Sequence, residues 1–144
     1  MALTAAACPH CGHRSLSTSA GLNGGALCVV LAGALIAGGA FLPWETVLGV
    51  NLNGFDVGTA GVWLVCIGLL VGLPGLTQVN GPGIGSGTRA LATLGGLAAI
   101  GLAVLGWGTI HSQTVSYGIV SVGIGIFVVA IGGALSIGAA LMAH

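Results

Sequence analysis

The residues best equipped for chemistry stand near the start of the chain, in the run Ala7-Cys8-Pro9-His10-Cys11-Gly12-His13-Arg14. Two cysteines separated by two residues can turn both thiolates toward one metal ion. Pro9 stiffens the turn between them, and Gly12 lets the backbone fold back beneath the sulfurs. A closed tetrahedral zinc site needs four ligands. Cys8 and Cys11 supply two, and the candidates on the same side for the others are His13, His10 and, at the far end of the chain, His144. A second copy of the chain or a partner subunit would serve equally well, and a degenerate pair that binds no metal is the competing reading. A thiol–disulfide role is disfavoured, because no surrounding α/β fold exists to tune the thiols.

Elsewhere reactive side chains are sparse. Glu45 and Asp56, with His111, offer a cation two carboxylates and an imidazole. Hard cations want six or more oxygens, so the pair reads more simply as solvated charges at a membrane surface. The run Gly81-Pro82-Gly83-Ile84-Gly85-Ser86-Gly87 has the glycine density of a phosphate cradle, but no P-loop lysine follows it; it reads as a turn-rich linker. There is no lysine at all, which excludes Schiff-base chemistry, and no nucleophile–base set. The expectation is a protein that is not an enzyme.

The composition explains the scarcity. Of 144 residues, 56% are hydrophobic and 3% are charged, with a mean hydropathy of +1.13. Soluble domains carry about 25% charged residues. A chain with only Arg14, Glu45, Asp56 and Arg89 charged cannot cover a surface facing water, and it cannot bind nucleic acid. The expected fold class is an all-α integral membrane protein, a four-transmembrane-helix bundle. A segment over 1–20 carries the cysteine pair, and a membrane domain over 21–144 holds spans at about 25–42, 59–73, 90–110 and 117–143. Continuous apolar runs, without the strict alternation of a barrel strand, exclude a β-barrel. Arg14 and Arg89 fall on one side of a four-span protein, and Glu45 and Asp56 on the other. The positive-inside rule then puts both termini in the cytoplasm of a cell whose plasma membrane holds the bundle.

The 29 glycines suit helices that approach closely in lipid. Small residues four apart recur at Ala34/Gly38, Ala92/Gly96, Ser121/Gly125 and Gly132/Ser136/Ala140. Gly38, Gly96, Gly125 and Gly132 are therefore the candidate packing or interface positions, serving either the fold of one chain or contact with another. Trp44, Trp63 and Trp107 all fall toward the outer side, as an aromatic belt would. The first outer loop combines strand-forming residues with Asn53-Gly54, a strong hairpin turn pair; Gly49 is a second turn or bulge candidate. A small hairpin is expected there, with a third short strand from 111–116. Cys28 and Cys66 differ in depth by roughly 10 Å at about 1.5 Å per residue. That is beyond the reach of about 7 Å for a disulfide, so both read as apolar fillers.

The Cys8-Pro9-x-Cys11-Gly12 run resembles one knuckle of a zinc ribbon, of which a full ribbon has two. Together with Pro43, Trp44, Gly54 and Asp56, the layout resembles small uncharacterised four-span membrane proteins of archaea and actinobacteria. The strand-bearing first outer loop is also similar to claudin-type proteins, without their paired outer-loop cysteines. Neither resemblance implies an activity. The expected function is that of a structural or accessory subunit of a larger membrane assembly, in contact with lipid and with other subunits or copies of itself. The cysteine pair would hold zinc or act as a docking element. A small homo-oligomeric channel or carrier is the alternative, and a metal or redox sensor a weaker one.

Overall fold

The computed structural model describes residues 22–81, 83–117 and 120–142, the end of the third helix by its backbone only. The order of elements is α1 (Gly24–Gly39), β1 (Pro43–Val47), β2 (Val50–Asn53), α2 (Ala60–Gln78), α3 (Ser86–Tyr117), β3 (Val120–Val122) and α4 (Ile124–Met142). Three stretches, Ala60–Gln78, Ser86–Ser112 and Ile124–Met142, are long and apolar enough to cross a membrane. The 16 residues of α1 span about 24 Å, short of the roughly 30 Å hydrocarbon core, so the expectation of four full-length spans is met by three.

The four helices form a ring. α1 packs broadly on α2 and α4, α3 packs broadly on α4, and the α2–α3 seam is the thinnest. Backbone nearly touches backbone at two of these seams. A Cβ built on Gly33 would lie 2.6 Å from the Gly68 carbonyl oxygen, and one on Gly96 would lie 2.6 Å from the Gly133 carbonyl oxygen. Lipid tails are as apolar as leucine, so burial does not drive such helices together; close van der Waals approach does, and only glycine permits it here. One buried cluster, which includes Ile36, Trp44, Leu64, Ala103 and Val129, lies toward the sheet. A second, which includes Ala26, Val29, Val71, Ile84 and Ala139, lies at the opposite end.

Several element boundaries differ from those the sequence suggests. α2 runs through Pro74 to Gln78 instead of stopping at residue 73. A proline within an apolar helix is tolerated in membrane proteins, and the Thr77 hydroxyl donates back to the Pro74 carbonyl at 2.9 Å in the turn that follows. α3 begins at Ser86 and continues over 111–116, where a strand was expected. The third strand is Val120–Val122, inside the segment expected to open the fourth span. Its Val-Ser-Val alternation suits a pleated strand, and it pairs antiparallel with β1.

The sheet has the order β2–β1–β3. Its hairpin turns at Leu48-Gly49 and not at Asn53-Gly54. The Val47↔Val50 register leaves two residues for the turn, and both have positive φ, +50° and +83°, the signature of a primed turn whose twist matches the strands. Asn53 instead closes the strand. Its side-chain oxygen accepts from Phe55 N at 2.9 Å and Asp56 N at 3.2 Å, while Asp56 Oδ2 accepts from Asn53 N at 3.0 Å.

Candidate functional site

Cys8, His10, Cys11 and His13, with His144, lie outside the described residues, so the zinc reading finds no geometry here. Among the described residues no three His, Cys, Asp or Glu side chains gather closely enough to hold a metal. Glu45, Asp56 and His111 therefore do not form a common site. Asp56 is used in the Asn53 turn. His111 is exposed on α3. Glu45 is 8% exposed, a correction to its reading as a solvated charge. The cause is a register shift between Pro43 and Glu45. A bulge lets two successive residues turn the same way, and Trp44 and Glu45 are both buried in a strand that would otherwise alternate.

Trp44 is the clearest feature of the sheet end. It is 1% exposed, and its indole Nε1 donates to the Gly39 carbonyl at 2.9 Å. Glycines line its seat. A Cβ on Gly125 would come within 2.6 Å of the indole Cδ1, and one on Gly106 within 2.8 Å of Cζ3. Trp44 thus leaves the expected aromatic belt to plug the bundle, because its ring fits where three elements converge and its N–H finds a helix-terminal carbonyl. Trp63 and Trp107 are exposed on α2 and α3, and Trp107 stacks edge-on with Phe127 at 5.7 Å.

The candidate interface glycines separate by environment. Gly96 meets the Gly133 backbone, Gly125 meets the Trp44 ring, and Gly132 meets Leu35 and Ile36, whereas a Cβ on Gly38 would meet nothing. Gly132, Ser136 and Ala140 form a continuous buried stripe on α4, and the Ser136 hydroxyl donates across the seam to the Ala92 carbonyl at 2.7 Å. The Ser121/Gly125 spacing has no helical meaning, since Ser121 lies in β3. Cys28 is half-buried, Cys66 is exposed, and both are free thiols.

At the opposite end sits a polar knot that sequence reasoning missed. Asn23 caps α1 by accepting from Ala26 N at 3.3 Å, and its own backbone N–H donates to the Val79 carbonyl at 2.8 Å. Gln78 holds the α2–α3 connection. Its Oε1 accepts from Gly85 N at 2.7 Å and its Nε2 donates to the Thr88 hydroxyl at 2.5 Å. The turn-rich linker is therefore stapled by one amide. An asparagine just before an apolar run is a recognisable cap signal; nothing local marks Gln78, whose partners lie seven and ten residues away. Beside this knot, in the first turn of α3, Arg89 carries a buried Nε with no hydrogen-bond partner.

No protein-family model, no curated protein and no solved structure matches this chain.

Proposed function

We propose that this protein is a non-enzymatic four-span subunit of a larger assembly in the plasma membrane, with both termini cytoplasmic and the sheet on the outer face. The observation that carries this reading is a dry, closed interior combined with an outward face built for hydrocarbon. Among the described residues, the buried polar side chains are Glu45, Thr88 and Ser136. Glu45 and Thr88 sit at opposite ends, and the Ser136 hydroxyl is used between two helices. A conducting route needs polar groups along one face; this interior has glycine, alanine and branched aliphatics instead. Leu31, Leu69, Leu70, Leu94, Leu105 and Ile131 face outward.

Contacts of α1 support the fourth span. Its Gly33 seats on Gly68 and Gly72 of α2, its Gly39 on Val129 of α4, and its Val29 and Val30 lie under Gly75. A helix flanked along its length by two spanning helices shares their depth, and the flanking residues 22–23 and 40–42 complete the crossing. The cysteine pair at Cys8 and Cys11 would then stand on the cytoplasmic side as a zinc-holding or docking element.

Native mass spectrometry of the protein extracted gently from its own membrane tests the proposal. A hetero-assembly in stable stoichiometry is the expected result, with a zinc mass that disappears in Cys11→Ser. Recovery solely as a monomer or homo-oligomer would sink the accessory-subunit reading. Flux through the purified protein in liposomes would establish the channel in its place.

A further inference from the structure

We infer that Asn80 is a site of covalent self-modification, where the backbone converts the side-chain amide to a carboxylate with water as the co-reactant. The chain contains three Asn-Gly pairs: Asn23-Gly24, Asn53-Gly54 and Asn80-Gly81. Asparagine is a chemically labile residue, and a following glycine leaves the attacking backbone nitrogen unhindered by a side chain. The dipeptide alone ranks the three alike; the fold separates them.

Two are guarded. Asn23 caps α1, where its Oδ1 accepts from Ala26 N at 3.3 Å and its Nδ2 donates to the Gln78 carbonyl at 3.5 Å. Gly24 is the first residue of that helix, so helical geometry fixes the nitrogen that would attack. Asn53 Oδ1 accepts from Phe55 N and Asp56 N. Gly54 is pinned through both backbone groups: its N–H donates to the Ala40 carbonyl and its carbonyl accepts from Gly61 N, each at 3.0 Å. A Cβ on Gly54 would lie 3.2 Å from the Trp44 indole nitrogen, so this peptide has no room to swing.

Asn80 differs on each count. It is exposed in the turn after α2, and its side-chain amide bonds no other described residue. The bond that has to open is the one within that turn, from Gly81 N–H to the Gln78 carbonyl at 3.0 Å. The atoms a Cβ on Gly81 would meet all belong to Gln78, so Gly81 can rotate without disturbing another element.

The chemistry balances without an oxidant or reductant. The Gly81 nitrogen gives up its proton and attacks Asn80 Cγ, an intramolecular step favoured by proximity. The N–Cγ bond forms as the Cγ–Nδ2 bond breaks, and Nδ2 leaves with that proton as ammonia. Water then opens the cyclic imide at either carbonyl, giving an aspartyl residue or its isoaspartyl isomer. In a chain with two acidic and two basic side chains, the new carboxylate turns a formally neutral protein into an anion. It also stands just past the C-terminus of α2, where the helix dipole opposes a negative charge.

The test incubates the full chain in detergent, in mildly alkaline buffer made with heavy-oxygen water. Peptide mass mapping follows the amide-to-acid exchange at each asparagine, and the incorporated label excludes conversion before the incubation. Asn80 should convert about tenfold or more faster than Asn23 and Asn53, whose side chains must first release their hydrogen bonds. In denaturant the three rates should approach one another. Asn80→Gln keeps an amide on a longer side chain and should leave the position unconverted. Comparable rates in the folded protein, or conversion led by Asn23 or Asn53, overturn the inference. So does a folded protein whose Asn80 stays unlabelled while the denatured chain converts. A lead of Asn80 that survives denaturation unchanged would trace it to local sequence and refute the structural argument.

Discussion

Replacing Gly33 with alanine isolates what holds the bundle together. The added methyl would sit 2.6 Å from the Gly68 carbonyl oxygen and 2.7 Å from Gly72 Cα. The first distance falls about 0.8 Å short of the 3.4 Å at which ordinary contact begins. Both neighbours are backbone, so no rotamer change relieves the clash, and α1 must lift off α2. A radial gap of 0.5–1 Å forfeits a quarter to a half of each dispersion contact along a seam, and overpacking of this kind costs about 1–3 kcal/mol. Gly101 is the control. It lies in mid-α3 with nothing within 4 Å of its added methyl, so Gly101→Ala should stabilise the helix by up to about 1 kcal/mol. The same chemical change thus carries opposite signs at two glycines. Reversible unfolding in mixed micelles, read by helical circular dichroism, measures both. Equal effects of the two substitutions would refute the claim that close backbone approach holds α1 to α2.

Trp44→Phe removes the donor to the Gly39 carbonyl and part of a packed ring, and should cost at least the roughly 1–3 kcal/mol of the unpaired carbonyl, with a cavity contribution added, in the same unfolding assay; a loss under about 0.5 kcal/mol would show that neither contributes much. Leu48 holds φ +50° while three-quarters exposed, so Leu48→Asn, a residue tolerant of that conformation, should stabilise the hairpin by about 1 kcal/mol and slow hydrogen exchange at Val47 and Val50.

The two kinds of element were unequally legible in the sequence. Helices announce themselves through continuous apolar runs, and three of the four stretches found that way are long enough to cross a membrane. Their ends are less legible, because proline and glycine do not break helices in lipid as they do in water: Pro74 and Gly75 lie inside α2, where Gly75 packs on Val29 and Val30 of α1. The hairpin was legible from β-branched residues, but its turn was not. Asn53-Gly54 has the stronger local propensity, yet the strand pairing leaves Leu48-Gly49 at the tip and gives Asn53 to the following turn. Register is a tertiary property, and Trp44 in the central strand is seated on Gly106 and Gly125, which no local window contains. The cysteine pair is the reverse case, plain in sequence and outside the described residues.

The two ends of the bundle are held by different means, and this bears on where a partner would attach. At the sheet end the connections are backbone ladders: β1 pairs on both sides, Gly54 N donates to the Ala40 carbonyl at 3.0 Å, and Gly123 N donates to the Trp44 carbonyl at 2.7 Å. Trp44 fills the space beneath them. Opening that end would break several hydrogen bonds at once and expose a large aromatic ring. At the other end the side-chain bonds that close the α2–α3 connection come from the one Gln78 amide, in the thinnest seam of the ring. Local stability follows the density of buried contacts and backbone hydrogen bonds, so the Gln78 end opens at lower cost. It is also the end that carries Arg89, the only Lys or Arg among the described residues, and the end from which α1 begins. An accessory subunit that adapts to its partner would do so there, with the sheet end serving as the rigid reference.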